Sequence, residues 1–241
     1  MLSRDARHLA LNQVGLSGQK KISSGTVLLI GAGGIGCAVA TYLTSSGIGH
    51  IKISDFDTVD ATNLGRQIIY TPGDLGQKKA EVAASRLRVF NPNIQITSIN
   101  ERLQNEALMF QIESSDVVID GSDNFTTRLQ INQACVLAKK RLISGSAIRL
   151  EGQLAVFGPS YKYSPCYQCL YDKDDESIGN CVGNGVLSPV PGVIGTLMAI
   201  EALKYFVGIQ TDTSKLLLYD AALSEFKSLK INKQHICPIC N

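Results

Sequence analysis

A chain of 241 residues, 44% hydrophobic and 18% charged, is long enough to bury a substantial core and has the balance of a soluble globular enzyme. Its net charge of +2 and lack of a long basic block give no electrostatic case for nucleic acid, and no apolar run reads as the roughly 20 residues needed to cross a membrane. The N-terminal segment scatters charges where a secretory signal would be apolar, and the seven cysteines, an odd number, argue against a disulfide framework, so a cytoplasmic protein is expected.

The opening segment to about Gly18 reads as a helix with Leu9, Leu11 and Val14 as packing residues. TVLLIGAGGIGCAVATYLTSSG then reads as a buried strand, a glycine turn and a helix whose small residues face the strand. HIKISDFDTVD is a second strand ending in carboxylates, and QKKAEVAASRLRVFNP is a helix stopped by Asn91-Pro92. IQITSIN, DVVIDGSDN and RLISGSAI supply three more strands, with helices predicted over NEALMFQIESS and FTTRLQINQACVLAKK. This alternation predicts an α/β fold with a doubly wound, mainly parallel sheet, whose ligands sit beyond the carboxyl ends of the strands. The glycine turn, the Asp55/Asp57 end and the Asp123 end all fall on that edge.

After residue 150 the pattern changes. EGQLAVFGP reads as a strand, and a long polar stretch follows that holds Cys166, Cys169 and Cys181. GVIGTLMAIEALKYFVG is an apolar helix, buried or at a dimer contact, and KLLLYDAALSEFKSLKIN reads as two strands before the closing CPIC. Without repeats or a flexible linker, residues 1–241 are expected to form a single domain. The alternating strands and helices with the glycine turn occupy roughly 1–150, and the paired cysteines lie in roughly 151–241.

Gly31, Gly33, Gly34 and Gly36 suit a turn that brings backbone amides to a phosphate at a helix N-terminus. Asp55, nineteen positions after Gly36, stands where a ribose-binding carboxylate belongs, so on these facts alone NAD is a fair reading. The residues that follow point elsewhere. Asn63 and Arg66 in TNLGRQ, the lysines Lys78 and Lys79, and Asp123, a hard oxygen ligand suited to magnesium, are what a triphosphate requires. Cys166-x-x-Cys169 and Cys237-x-x-Cys240 are the usual sign of a tetrahedral four-thiolate zinc site with a structural role. Cys37 and Cys135 read as packing residues.

The set GAGGIG, DFDTV, TNLGRQ, GQKKAE, DGSDN, SGSAIRLEGQLAVF, CYQC, GVIGTLMAIEALK and CPIC, in that order and over nearly the whole chain, resembles the MoeB/ThiF/HesA family, bacterial relatives of the ubiquitin-activating enzymes. The resemblance implies an ATP-dependent adenylyltransferase that activates the C-terminal glycine carboxylate of a small ubiquitin-like sulfur carrier with a Gly-Gly tail, working as a homodimer. It implies that Gly34 is the glycine nearest the nucleotide and that Asp55 holds the ribose. Asn63 and Arg66 would meet the phosphates, Lys79 would reach the nucleotide, and Asp123 would hold magnesium with Asn124 beside it. Arg7 resembles an arginine that the family inserts into the partner subunit's site, although Asp5 and His8 depart from the residues usual around it. Cys181 resembles a crossover-loop cysteine that takes part in acyl or persulfide transfer in some members and is dispensable in others. Two alternatives stay open: a family relative acting on another peptide or carrier, and a redox protein that holds NAD at the glycine turn.

Overall fold

The computed structural model of the chain describes residues 4–171 and 185–241. Five strands run parallel: β1 (Thr26–Ile30), β2 (His50–Ser54), β3 (Gln95–Ile99), β4 (Val117–Asp120) and β5 (Arg141–Ile148). Three more extend the same sheet antiparallel: β6 (Glu151–Phe157), β7 (Lys215–Asp220) and β8 (Glu225–Lys230). The strand order is β3-β2-β1-β4-β5-β6-β7-β8, the doubly wound arrangement predicted for the first part, with the C-terminal strands added at one edge. Val27, Leu28 and Leu29 of β1 are all fully buried, because a central parallel strand is covered on both faces and so needs a continuous apolar run.

Helices cover both faces. On one side lie α2 (Gly15–Ser24), α3 (Gly34–Ser45), α4 (Lys79–Phe90) and α8 (Pro189–Val207), around a core that includes Ile22, Val39, Leu43, Leu87 and Met198. On the other lie α5 (Asn105–Glu113), α6 (Phe125–Leu137) and the short α7 (Tyr167–Leu170), packed with Leu108, Ile112, Ile131 and Phe157. Two expectations need correction. The opening segment is not one helix: α1 (Ala6–Leu9) ends before α2 begins at Gly15, Leu9 and Leu11 are exposed, and only Val14 packs against the core. The second concerns α8, whose 19 residues are by length and composition apolar enough to cross a membrane, contrary to the reading that no run reaches that length. In the fold its Ile194, Met198, Ala199 and Ala202 are buried among α3 and the strands β5 and β6, the place of a core helix.

Candidate active site and metal centre

The glycine turn leaves β1 at Gly31, whose φ of +92° is a conformation that L side chains rarely adopt. A side-chain carbon there would lie 2.8 Å from the Gly121 carbonyl oxygen, and one at Gly36 would lie 1.9 Å from that of Gly31. At Gly34 it would meet Pro191 Cβ at 2.9 Å and the Arg66 carbonyl at 3.3 Å, so the packing of α8 and the Arg66 loop already accounts for a glycine there. Gly33 is different: the nearest atom to such a carbon would be Gln67 Nε2 at 3.8 Å, which leaves that side of the turn open. Gly33 is also the N-cap of α3, and among the described residues no side chain caps the helix. Among the described residues, nothing covers this helix N-terminus with its positive end of the backbone dipole.

The predicted residues gather around this turn. Asp55 Oδ2 accepts the Ala32 N–H at 2.7 Å and Oδ1 accepts the Asp57 N–H at 2.9 Å. Burial lifts the Asp55 carboxyl above the usual carboxylate range, and those two donors oppose the shift. Asn63 is buried and its Oδ1 accepts the Asp60 N–H at 3.1 Å, in a reciprocal cap of the 3₁₀ turn Ala61–Asn63. Its amide hydrogens are the part suited to a ligand oxygen. Arg66 Nη1 donates to the Thr62 carbonyl at 2.8 Å, and among the described residues no carboxylate forms an ion pair with it. Lys79, at the start of α4, is buried and pairs with Asp57 Oδ2 at 3.1 Å. Beyond β4, Asp123 is exposed, and the Asn124 carboxamide oxygen caps α6 by accepting the Thr127 N–H at 2.9 Å.

Three residues that the sequence reading did not assign hold this set in place. The Tyr70 hydroxyl donates to the Ala32 carbonyl at 2.9 Å, with the Lys79 carbonyl 3.3 Å away, tying the turn to α4. Asp120, fully buried, accepts the Ser122 N–H at 3.0 Å and the Ser122 hydroxyl at 2.6 Å, which shapes the loop that carries Asp123. Gln67 is 3% exposed, and its Oε1 has no partner among the described residues, an orphan acceptor beside the open face of Gly33. Tyr70 and Gln67 sit in an irregular stretch without periodicity, and Asp120 alternates with nothing that would set it apart as buried. No sequence signal singles these three out.

Arg7 is not part of this cluster. Its segment lies at the far end of α3, where Asp5 Oδ1 approaches Gly47, and His8 Nδ1 is hydrogen-bonded to Gln19, whose amide donates to the Ser46 carbonyl. The 12 residues of α3 separate that end from the glycine turn by about 18 Å. Cys181 lies outside the described residues.

The four paired cysteines meet on the opposite face of the sheet, beside α6 and α7. Their sulfurs all lie within 4.8 Å of one another, with Cys166 to Cys237 at 3.7 Å and Cys169 to Cys240 at 3.6 Å. A tetrahedron with Zn–S bonds of about 2.3 Å has sulfur–sulfur edges of about 3.8 Å, so the spacing suits zinc and is far too long for disulfides. Hydrogen bonding from Cys166 holds the Cys169 thiol well below the usual thiol range, while Cys166 itself is pushed up. Cys37 and Cys135 are buried and apart from this cluster, as packing residues should be.

Over residues 6–239 the sequence matches the ThiF family. It is 41% identical over 237 residues to the sulfur carrier protein ThiS adenylyltransferase of Escherichia coli (strain K12), covering 98% of this chain and 94% of that protein. It is 40% identical over 244 residues to the adenylyltransferase and sulfurtransferase MOCS3 of Culex quinquefasciatus, covering all of this chain and 55% of that one. The chain therefore spans about half the length of its MOCS3 relatives. Among solved structures, E. coli MccB with ATP superposes with a TM-score of 0.85 at 22% identity, over 100% of this chain and 74% of MccB, a likeness of fold.

Proposed function

The chain belongs to the ThiF family, and from that premise we propose that it is an ATP-dependent adenylyltransferase acting on the C-terminal glycine of a small ubiquitin-like sulfur carrier. The reading draws on the near full-length likeness to a ThiS adenylyltransferase. The observation that carries it is the face at Gly33, a helix N-terminus that among the described residues is uncapped, with buried Lys79 and with Arg66, which has no ion-pair partner among them, on the adjoining segments. A dehydrogenase needs no such convergence of positive charge. A reaction at a triphosphate does, since negative charge shifts among the phosphates as a bond breaks.

In this reading a carboxylate oxygen of the carrier's terminal glycine attacks the α-phosphorus of ATP. The bond from that phosphorus to the bridging oxygen of the β-phosphate breaks, and pyrophosphate leaves with the electron pair. The attacking carboxylate is already ionised, so no protein nucleophile or strong base is required. Asp55 orients the ribose, and the amides of the turn together with Asn63 hold phosphate oxygens. Arg66 and Lys79 offset charge on the departing pyrophosphate. Asp123, with Asn124 beside it, is the residue to hold magnesium, which when bound supplies further charge neutralisation at the phosphates.

Arg7 acts in this reading on the site of a second copy. Its place at the far end of α3 supports that, because the arginine stands too far from its own glycine turn to serve it. A homodimer follows, each chain completing the other's site. Residues 1–150 supply the nucleotide part, residues 151–241 hold the carrier, and the four cysteines bind structural zinc. Cys181 is the thiol positioned in sequence for later acyl or persulfide transfer. The cytoplasm supplies both ATP and a reducing environment for these thiols.

The deciding experiment is exchange of labelled pyrophosphate into ATP, with and without ThiS-type and MoaD-type carriers ending in Gly-Gly. Exchange that depends on one of them supports the proposal and names its pathway. Tight binding of NAD with no binding of ATP would overturn it.

A further inference from the structure

Four thiolates around one divalent zinc ion leave two net negative charges among buried sulfurs, and something must stabilise them. Among the described residues, three donors outside the cysteine set reach the cluster. Asn132 Nδ2 lies 3.6 Å from Cys166 Sγ, the Gln234 backbone N–H lies 3.5 Å from Cys169 Sγ, and Lys233 Nζ lies 3.0 Å from Cys240 Sγ. Of these three, only Lys233 brings a charge.

The surroundings of Lys233 are those of a cation committed to the sulfur. Its ammonium has three hydrogens to give, and three acceptors stand around it: Cys240 Sγ at 3.0 Å, the Cys240 carbonyl at 2.7 Å and the Tyr161 carbonyl at 2.9 Å. Among the described residues no carboxylate pairs with it. Two of its acceptors are neutral, so the counter-charge for this half-buried ammonium is the thiolate itself. The bond to Tyr161 also ties the loop leading into Cys166 to the chain's last cysteine, so one side chain spans both C-x-x-C pairs.

We propose that Lys233 is the charge-compensating residue of the metal centre. It gives an N–H···S bond to Cys240, offsets the negative charge on that sulfur, and so stabilises the zinc-bound centre. This rests on the reading of the four cysteines as a zinc site, and the test separates the two. Purified wild-type protein is assayed for zinc content, and zinc affinity is then measured by competition with a chromophoric chelator in wild type, Lys233→Gln and Lys233→Arg. Lys233→Gln keeps donors for the two carbonyls but no charge, whereas Lys233→Arg keeps the charge.

The expected result is a roughly 10- to 100-fold weaker zinc affinity in Lys233→Gln. In Lys233→Arg most of that affinity should be retained. In the cobalt-substituted proteins, the sulfur-to-cobalt charge-transfer band should move to lower energy in Lys233→Gln, because a thiolate without the ammonium gives up its electron more easily. A residue that merely knits two loops would leave that band in place. Wild-type zinc affinity with an unshifted band in Lys233→Gln overturns the proposal and leaves the zinc site standing. A wild-type protein that takes up no zinc overturns both.

Discussion

The Tyr70 hydroxyl lies 2.9 Å from the Ala32 carbonyl and so fastens the second residue of the glycine turn from a position 38 residues later in the chain. Burial pushes its ionisation far above the ordinary tyrosine range, so it remains a donor at every working pH. Tyr70→Phe removes the bond and leaves the carbonyl short of a partner, for a loss of about 1 kcal/mol of stability. Since the same hydroxyl sits near the Lys79 carbonyl, the variant should also raise the KM for ATP several-fold in carrier-dependent exchange. Urea unfolding and exchange kinetics on one preparation measure both. An unchanged KM would reduce Tyr70 to a packing residue.

Lys79 and Asp57 form an asymmetric pair, with side chains 7% and 48% exposed respectively. A buried ammonium loses its water on folding and this carboxylate compensates it, a place that a phosphate would take in the proposed reaction. Lys79→Met should therefore slow exchange by about 10²- to 10³-fold, the scale of losing a charged group at a developing negative charge. Asp57→Asn should cost far less, because the lysine remains and its competing anion is gone. Steady-state exchange rates of the two variants decide it. A loss in Asp57→Asn as large as in Lys79→Met would move the catalytic role onto Asp57.

Much of this arrangement was legible in the sequence, and the reasons for what was not are physical. Parallel strands covered on both faces must be apolar throughout, so VLLI and VVI announced themselves, and the glycines of the turn followed from the same strand–helix junction. The C-x-x-C pairs could be joined because only a metal site needs such spacing twice. The hydroxyl of Tyr70 and the carboxylate of Asp120 gave no signal, since a hydrogen bond to a distant or local backbone group has no periodicity. The opening segment departs from the expected single helix for a related reason. Leu9, Leu11 and Val14 fit a helical spacing loosely, yet Leu9 and Leu11 are exposed, and the helix ends at Leu9 before α2 starts at Gly15. Nor could the sequence tell that Gly34 is required by Pro191 of α8, a contact made across more than 150 residues.

Alkaline pH should weaken the fold in a predictable window. Burial raises the Cys37 thiol to about 12 from an ordinary value of 9.0, and raises Cys135 and Tyr70 as well. The unfolded chain therefore releases these protons first. Stability contributed by the neutral thiols is fully present below about pH 9 and falls from there toward pH 12, by at most about 1.4 kcal/mol per pH unit for each group. Chemical denaturation at a series of pH values should show this decline, and Cys37→Ala should make it shallower by one proton. Parallel declines in the two proteins would refute the assignment to Cys37.

The separation of Arg7 from its own glycine turn makes the proposed two-chain site testable by complementation. Arg7→Ala and Lys79→Ala should each be nearly inactive alone. In a mixed dimer, the Arg7→Ala chain keeps its own Lys79 and receives Arg7 of the partner subunit, so one of the two sites is intact, and the other lacks both groups. The mixed dimer, isolated through a different tag on each chain, should therefore recover about half of the wild-type exchange rate. If Arg7 served its own chain, every site in the mixture would lack one group or the other. Co-expression under two affinity tags, sequential purification and exchange assays distinguish the cases, and a mixed dimer as inactive as its parents would place Arg7 in its own chain's site or in none.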